Sequence, residues 1–172
     1  MKRVYIIIAL IFILLFAGCQ PTGREEVAID PWADFENHVT VAIYCNTVLD
    51  NLDLLDQAIK DGEYIPEDGV MLAEMEVGWE EGDTVFSILQ RLDEADFITM
   101  DYKTDTFGPF VSGINYLYNG SCGEVSGWMV SVNDTFNDTG CDQTFLEPGD
   151  NVKWLYSCDM GPDIGYIWME DN

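Results

Sequence analysis

Basic side chains are scarce in this sequence. Its 172 residues include 7 Lys and Arg against 32 Asp and Glu, which gives a formal net charge of −25 at pH 7. A surface with such an excess of carboxylates repels the phosphates of nucleic acids and of anionic lipid head groups. We therefore exclude nucleic acid as a partner. The acidity is typical of a protein kept soluble at a cell surface, and by itself it identifies no ligand.

Catalytic and metal-binding motifs are lacking as well. His38 is the only histidine, and the sequence contains neither a G-x-S-x-G nucleophile motif nor a glycine-rich phosphate loop. The acidic residues between Asp50 and Asp56 lack the spacing and the central glycine of an EF-hand. The sequence thus predicts a protein that is not an enzyme. We expect no catalytic residue, no metal site and no required cofactor.

A long apolar run occurs at the start of the chain. Residues 4–17 are uncharged and follow Lys2 and Arg3, a pattern typical of a secretory signal peptide and too short to span a bilayer comfortably. The segment FAGC, which ends at Cys19, resembles a bacterial lipobox, in which the cysteine is lipidated and becomes the first mature residue. An ordinary signal peptide cut nearby and an uncleaved anchor are the alternatives.

These features divide the chain into three predicted parts. They are a lipoprotein signal peptide over residues 1–18, a flexible tether over 19–37 that begins at the lipidated cysteine, and a domain over 38–172. Two or three acyl chains on one cysteine give stable anchoring. We therefore expect the protein to be held on the extracytoplasmic face of the bacterial cell membrane, with that membrane as a partner.

Alternating and helical patterns predict the fold of the domain. Alternation of apolar residues predicts strands near residues 39–45, 70–79, 97–104, 128–133 and 152–158. The segment EGDTVFSILQRLDEAD predicts the main helix, capped by Asp83 or Thr84. A short helix is expected after Leu49, and residues 108–120 are expected to be irregular. This order predicts an α+β fold in which one main helix packs against a mixed sheet.

Four cysteines remain once Cys19 is assigned to the lipid, namely Cys45, Cys122, Cys141 and Cys158. An even number in an exported chain indicates disulfides, with three possible connectivities. Zinc is a weaker alternative, because no C-x-x-C pair is present. If the first and last strands are parallel neighbours, Cys45 and Cys158 meet at one end of the sheet. That leaves Cys122 to pair with Cys141 and predicts a disulfide-stapled domain.

An ordered set of segments carries a family resemblance. They are VTVAIYCNTVLDNLD, PEDGVML, GDTVFSILQRL, GINYLYNGSCGEVSGWMVSVND, LEPGDNVKWLYSC and GPDIG. Together they resemble the transcobalamin-like C-terminal domain family, which is common in surface lipoproteins of Gram-positive bacteria. The resemblance implies a β-grasp-like fold. Vertebrate relatives carry cobalamin between such a domain and a separate helical barrel, for which this sequence has no counterpart.

The resemblance also implies a surface that binds a flat ligand. One face of a cobalamin or other corrinoid could lie against Tyr116, Tyr118, Trp128 and Met129, since aromatic rings and thioethers suit a large, shallow, partly apolar ligand. A core role for Trp128 is the alternative. We thus expect a cell-surface lipoprotein that captures a corrinoid or similar ligand and passes it to an uptake transporter. The alternative function is a surface protein-interaction or adhesion domain without a small ligand.

Overall fold

The computed structural model describes residues 30–136 and 138–167. The predicted signal peptide, Cys19 and the first part of the predicted tether lie outside these residues. The folded unit begins at Pro31, and Trp32 is only 6% exposed in its core. The last residues of the predicted tether are therefore packed on the domain. In the described ranges, none of the helices has both the length and the apolar character needed to cross a membrane.

Eight strands and three short helices make up the described chain. The strands are β1 (Asn37–Tyr44), β2 (Val70–Trp79), β3 (Met100–Asp105), β4 (Gly108–Ile114), β5 (Leu117–Tyr118), β6 (Gly127–Val132), β7 (Thr135–Phe136) and β8 (Asn151–Ser157). The helices are α1 (Asn46–Leu49), α2 (Gln57–Asp61) and α3 (Val85–Glu94), and a 3₁₀ turn covers Pro162–Ile164. The short helix expected after Leu49 is thus divided between α1, which ends there, and α2.

The main sheet has five strands in the order β2-β1-β8-β6-β7. Its first and last long strands, β1 and β8, are parallel neighbours from the pair Thr40 and Asn151 to the pair Tyr44 and Leu155. The other pairs in this sheet are antiparallel. A mixed sheet with a central parallel pair and one principal helix confirms the predicted α+β, β-grasp-like fold. The tight turn before β7 uses Asn133 and Asp134, both with positive φ.

A second sheet, ordered β3-β4-β5, includes the segment that was predicted to be irregular. That prediction is wrong for residues 108–118. Gly113 allows the pairing, because a Cβ there would lie 2.4 Å from Cδ1 of Tyr118, whose ring crosses the strand. Asn115 and Tyr116 adopt positive φ and turn the chain from β4 into β5. The glycine that weakens the strand pattern in the sequence is therefore the residue that lets the two strands approach.

Helix α3 is fixed at its start by a capping box. The hydroxyl of Thr84 accepts from the backbone N–H of Ser87, and the hydroxyl of Ser87 accepts from that of Thr84, at 3.2 and 2.9 Å. The helix buries Val85, Ile88, Leu89 and Leu92, whereas Phe86, which the apolar stripe of the sequence also includes, is partly exposed. Thr84 is the cap residue, whereas Asp83 forms an ion pair with Arg91 at 2.8 Å.

The predicted disulfides are not present, because all four described cysteines are free thiols. Cys45–Cys158 does not form although β1 and β8 are parallel, and Cys122–Cys141 does not form either. Cys141 is held elsewhere: its carbonyl accepts from the Phe86 N–H at 3.0 Å and its sulfur lies 3.5 Å from the Pro109 carbonyl. The loop that carries Cys122 turns instead toward the end of β8.

Candidate functional site

An apolar groove opens where β6 and β8 of the main sheet meet β4 of the second sheet. Its volume is about 510 Å³, within the range of small-molecule sites. We call this cavity the groove. Its walls are Pro109, Val111, Trp128, Met129 and Trp154, and its rim includes Phe136, Cys141 and Tyr166.

Trp128 is the best-fixed side chain of the groove. It is 8% exposed, and its indole N–H donates to the Leu117 carbonyl at 2.8 Å. Its ring packs edge-on against Tyr156, with centroids 5.2 Å apart. The Tyr156 hydroxyl donates to the Tyr118 carbonyl at 2.7 Å. Both core packing and a hydrogen bond therefore hold the ring before any ligand arrives, which reduces the entropy that binding would cost.

Tyr156 supports this wall because its hydroxyl stays protonated. Burial raises the pKa of Tyr156 to about 12, against a smaller opposing effect of its hydrogen bond with Ser126. The Ser126 hydroxyl lies 2.8 Å from the phenol oxygen and also donates to the Gly123 carbonyl at 2.8 Å. The phenol thus links the loop before β6 to β5.

Asn119 joins the two sheets at the base of the groove. Its Oδ1 accepts from the backbone N–H of Trp128 at 2.8 Å, and its Nδ2 donates to the Val111 carbonyl at 3.0 Å. The side chain thus satisfies one backbone group on β6 and one on β4. Gly127 leaves room for it, since a Cβ there would approach Oδ1 to 2.8 Å.

Aromatic residues form the opposite rim. Phe136 and Tyr166 pack edge-to-face with centroids 5.3 Å apart, and the Tyr166 hydroxyl donates to Asp138 at 3.3 Å. Cys141 lies between this rim and Pro109. Burial raises the pKa of the Cys141 thiol, so at neutral pH the sulfur presents a neutral, polarizable surface to the groove.

One wall residue of the groove has an unsatisfied donor. Trp154 is 3% exposed, and its indole N–H is buried without a hydrogen-bond partner among the described residues. A buried donor left unpaired costs about 1–3 kcal/mol. Trp154 also lines the groove, so a ligand that brings an acceptor would recover this cost if its entry shifts the wall enough to uncover the N–H.

The four sequence-predicted ligand residues do not form one surface. Trp128 and Met129 lie in the groove, whereas Tyr116 packs on Tyr64, with centroids 4.7 Å apart. Tyr118 lies on the outer face of the second sheet, where its hydroxyl donates to Asp101 at 3.1 Å. The sequence grouped these residues because they are close along the chain, but the turn between β4 and β5 directs them to different faces.

The remaining groove residues were not predicted as a site. Trp154 belongs to an alternating pattern that indicates core, and Pro109 lies in the segment expected to be irregular. Phe136 belongs to β7, and Cys141 and Tyr166 come from two separate loops. No local signal in the sequence links such residues. Within the described ranges, no cluster of three His, Cys, Asp or Glu residues could hold a metal ion.

Comparison with known proteins gives a partial family match. Residues 82–157, from the turn before α3 to the end of β8, match the model of a domain of unknown function, DUF4430. This match, which includes Trp128, Met129 and Trp154, confirms the family resemblance predicted from the sequence. No curated protein matches the sequence.

Two solved structures are similar to the chain at low identity. One is haptocorrin, in a crystal structure of its complex with Cbi. It is 12% identical in sequence, with a TM-score of 0.48, and the match covers 70% of this chain and 25% of haptocorrin. This chain thus spans about a quarter of the length of haptocorrin. The other, from Ruminococcus gnavus ATCC 29149, is described as a candidate metal-binding protein; it is 14% identical with a TM-score of 0.44, over 71% of this chain and 97% of that one.

Proposed function

We propose that the domain is a non-catalytic binding module whose groove takes the edge of a flat, largely apolar ligand of the corrinoid class. The observation that carries the proposal is the buried indole N–H of Trp154, which has no partner among the described residues and belongs to a wall of the groove. An apolar cavity with one convergent polar group is the usual design of a small-molecule site.

The chemistry of a corrinoid fits this arrangement. Its macrocycle is broad and nearly flat, with methyl groups on its faces, and it carries amide arms whose carbonyl oxygens accept hydrogen bonds. One such oxygen would pair with Trp154 Nε1, while the ring edge would lie against Trp128 and the thioether of Met129. The net charge of −25 disfavours a strongly anionic ligand. A cavity of about 510 Å³ accommodates part of a corrinoid and leaves the rest accessible for transfer.

Titration with cobalamin, followed by calorimetry and by visible absorption, tests this function. We expect saturable heat and a shift of the corrin bands for the unaltered chain. Met129→Ala should weaken binding about 3–10-fold, because it removes a contact of roughly 1 kcal/mol. Met71→Ala is the matched control, since Met71 lies on β2 at the other edge of the main sheet. Absence of heat and of spectral change at high micromolar cobalamin would reject the corrinoid.

We further propose that Cys19 carries the lipid and that the domain is displayed outside the cell, where it passes its ligand to an uptake transporter. The lipobox-like FAGC segment and the apolar run before it support this. Labelled palmitate should be incorporated into the unaltered protein and not into Cys19→Ser, which should also leave the membrane fraction. Equal labelling of the two proteins would contradict lipidation at this position.

A protein-interaction function is the second candidate, and the outer face of the second sheet favours it. That face exposes Phe110 and Tyr118, which are 58% and 38% exposed, and Phe107 nearby is 86% exposed. Exposed aromatic clusters of this kind are typical of interaction sites. Phe107→Ser should then abolish adhesion to a surface partner and leave cobalamin titration at the groove unchanged, because Phe107 does not line the groove.

A further inference from the structure

Three of the four described cysteines meet at one end of the main sheet. Cys45 directly follows β1, Cys158 directly follows β8, and Cys122 lies in the loop before β6. All three are buried, with exposures of 0%, 8% and 0%. Cys45 and Cys122 each interact with Cys158. Cys141 lies apart from this group, at the rim of the groove.

The sulfurs of Cys122 and Cys158 rest on the same turn of the chain. That of Cys122 is 3.4 Å from the Asn51 carbonyl, and that of Cys158 is 3.7 Å from the Thr47 hydroxyl. The Asn51 side chain in turn donates to the Thr47 carbonyl at 2.8 Å, and each thiol affects the pKa of the other. No comparable sulfur contact joins Cys122 to Cys141 among the described residues.

The backbone around both residues is also fixed. The Cys122 N–H donates to the Ser126 hydroxyl at 3.0 Å, and the Cys158 N–H donates to the Asp163 carboxylate at 2.7 Å. Cys122 also pairs with Leu55 in an isolated antiparallel bridge. Two thiols that rest on one turn, each on a fixed backbone, are favourably placed to be joined.

We propose that Cys122 and Cys158 are the oxidisable pair of this domain, and that Cys45 and Cys141 enter no disulfide within the chain. The two thiols lose two protons and two electrons and form one S–S bond. The electrons reduce an external disulfide, such as oxidised glutathione or a thiol-disulfide oxidoreductase, to two thiols. Because all of these sulfurs are shielded in the native chain, the bond forms while the chain folds, before the 119–126 loop closes.

The bond would act on the groove as well as on stability. Cys122 shares its loop with Asn119, whose side chain joins Trp128 to Val111. A link from this loop to Cys158 would hold that junction to the end of β8. It closes a loop of 35 intervening residues, so oxidation should raise Tm by on the order of 10 °C.

Peptide mapping tests the pairing without assuming it. The full chain is reduced, unfolded, and refolded in glutathione buffer with excess glutathione disulfide, and the remaining thiols are blocked with N-ethylmaleimide. Cleavage after Glu, Lys and Arg separates all five cysteines. Cys45 is then on peptide 37–60, Cys122 on 104–124, Cys141 on 125–153, since the bond between Glu147 and Pro148 resists cleavage, and Cys158 on 154–170.

We expect one dominant linked species, 104–124 joined to 154–170, with the Cys45 peptide blocked and the Cys141 peptide either blocked or carrying glutathione. Cys45→Ser and Cys141→Ser should keep this link and the higher Tm under oxidising conditions. Cys122→Ser should lose both. A dominant link from Cys158 to Cys45, or from Cys122 to Cys141, would overturn the proposal. Complete blocking of all four thiols after refolding would also overturn the proposal. This outcome is measured on the unaltered chain, so it does not require any variant to fold.

Discussion

The side chain of Asn119 connects Trp128 on β6 to the second sheet. It accepts from the Trp128 backbone N–H at 2.8 Å and donates to the Val111 carbonyl at 3.0 Å. The wall of the groove thus depends on a loop residue that belongs to neither sheet, and the groove would open or close with this junction.

Replacement of Asn119 by Ala should destabilise the domain by about 1–3 kcal/mol, because two backbone groups lose their partners. Chemical denaturation measures the change in the free energy of unfolding. Asn46→Ala is the matched control, since it removes one exposed hydrogen bond to the Asp68 carbonyl and should cost under about 1 kcal/mol. Equal costs for the two variants would show that the junction has no special role.

The two groove tryptophans should respond differently to replacement by Phe in the unliganded protein. Trp128→Phe leaves the Leu117 carbonyl without its donor, whereas Trp154→Phe removes a donor that has no partner among the described residues. We expect Trp128→Phe to cost about 1–2 kcal/mol more, measured as the difference between the two free energies of unfolding. A larger cost for Trp154→Phe would mean that its N–H is satisfied in the free protein.

The ion pair between Asp83 and Arg91 should make stability depend on acid pH. Burial opposes ionisation of Asp83, but hydrogen bonds from Arg91, Glu80 N–H and Ser87 outweigh it and lower the pKa of this carboxyl. Because the folded-state pKa lies below the unfolded one, the contribution is complete above about pH 4 and is lost as the pH falls through the folded-state value.

Arg91→Ala should therefore lower the free energy of unfolding at pH 7 by about 2 kcal/mol, and the difference from the unaltered protein should shrink toward pH 2. Lys153→Ala is the control: its pair with Asp134, at 2.5 Å, is exposed and is expected to contribute under about 1 kcal/mol. A constant difference between Arg91→Ala and the unaltered protein over this pH range would contradict the assignment.

The reduced chain should show one accessible thiol in the domain. Cys45, Cys122 and Cys158 are buried, whereas Cys141 is partly exposed at the groove. Burial raises the pKa of Cys45 and of Cys122 to about 12, so thiolate is scarce at pH 8. With a chromogenic disulfide reagent, Cys141 should react at least about tenfold faster than the others, and Cys141→Ser should lose this fast phase while Cys45→Ser keeps it.

Much of the fold could be predicted from the sequence, because its strongest patterns belong to elements buried on one side. β1, β2 and β8 alternate clearly, and α3 carries both a cap and an apolar stripe. β4 was missed because Pro109 and Gly113 weaken its pattern, although Gly113 is what allows Tyr118 to cross it. Pattern alone does not show such a close approach between neighbouring strands.

The site was less predictable than the fold. Trp128 and Met129 were identified through the family resemblance, but Trp154 resembles an ordinary core residue until its indole N–H is found without a partner in the described part of the chain. The cysteine prediction failed for a similar reason. The parallel pairing of β1 and β8, which the predicted Cys45–Cys158 pair required, is present, yet the loop that brings Cys122 toward Cys158 has no sequence pattern that gives its direction.

The most direct test of the central claim is the affinity of Trp154→Phe for cobalamin. Calorimetry measures it beside the unaltered chain and the control Trp79→Phe. Trp79 donates its indole N–H to the Leu146 carbonyl at 3.0 Å, away from the groove. The account predicts that Trp154→Phe binds about 5–10-fold more weakly, the loss of one hydrogen bond, while Trp79→Phe binds normally. Unchanged affinity of Trp154→Phe, or no binding by the unaltered chain, would contradict it.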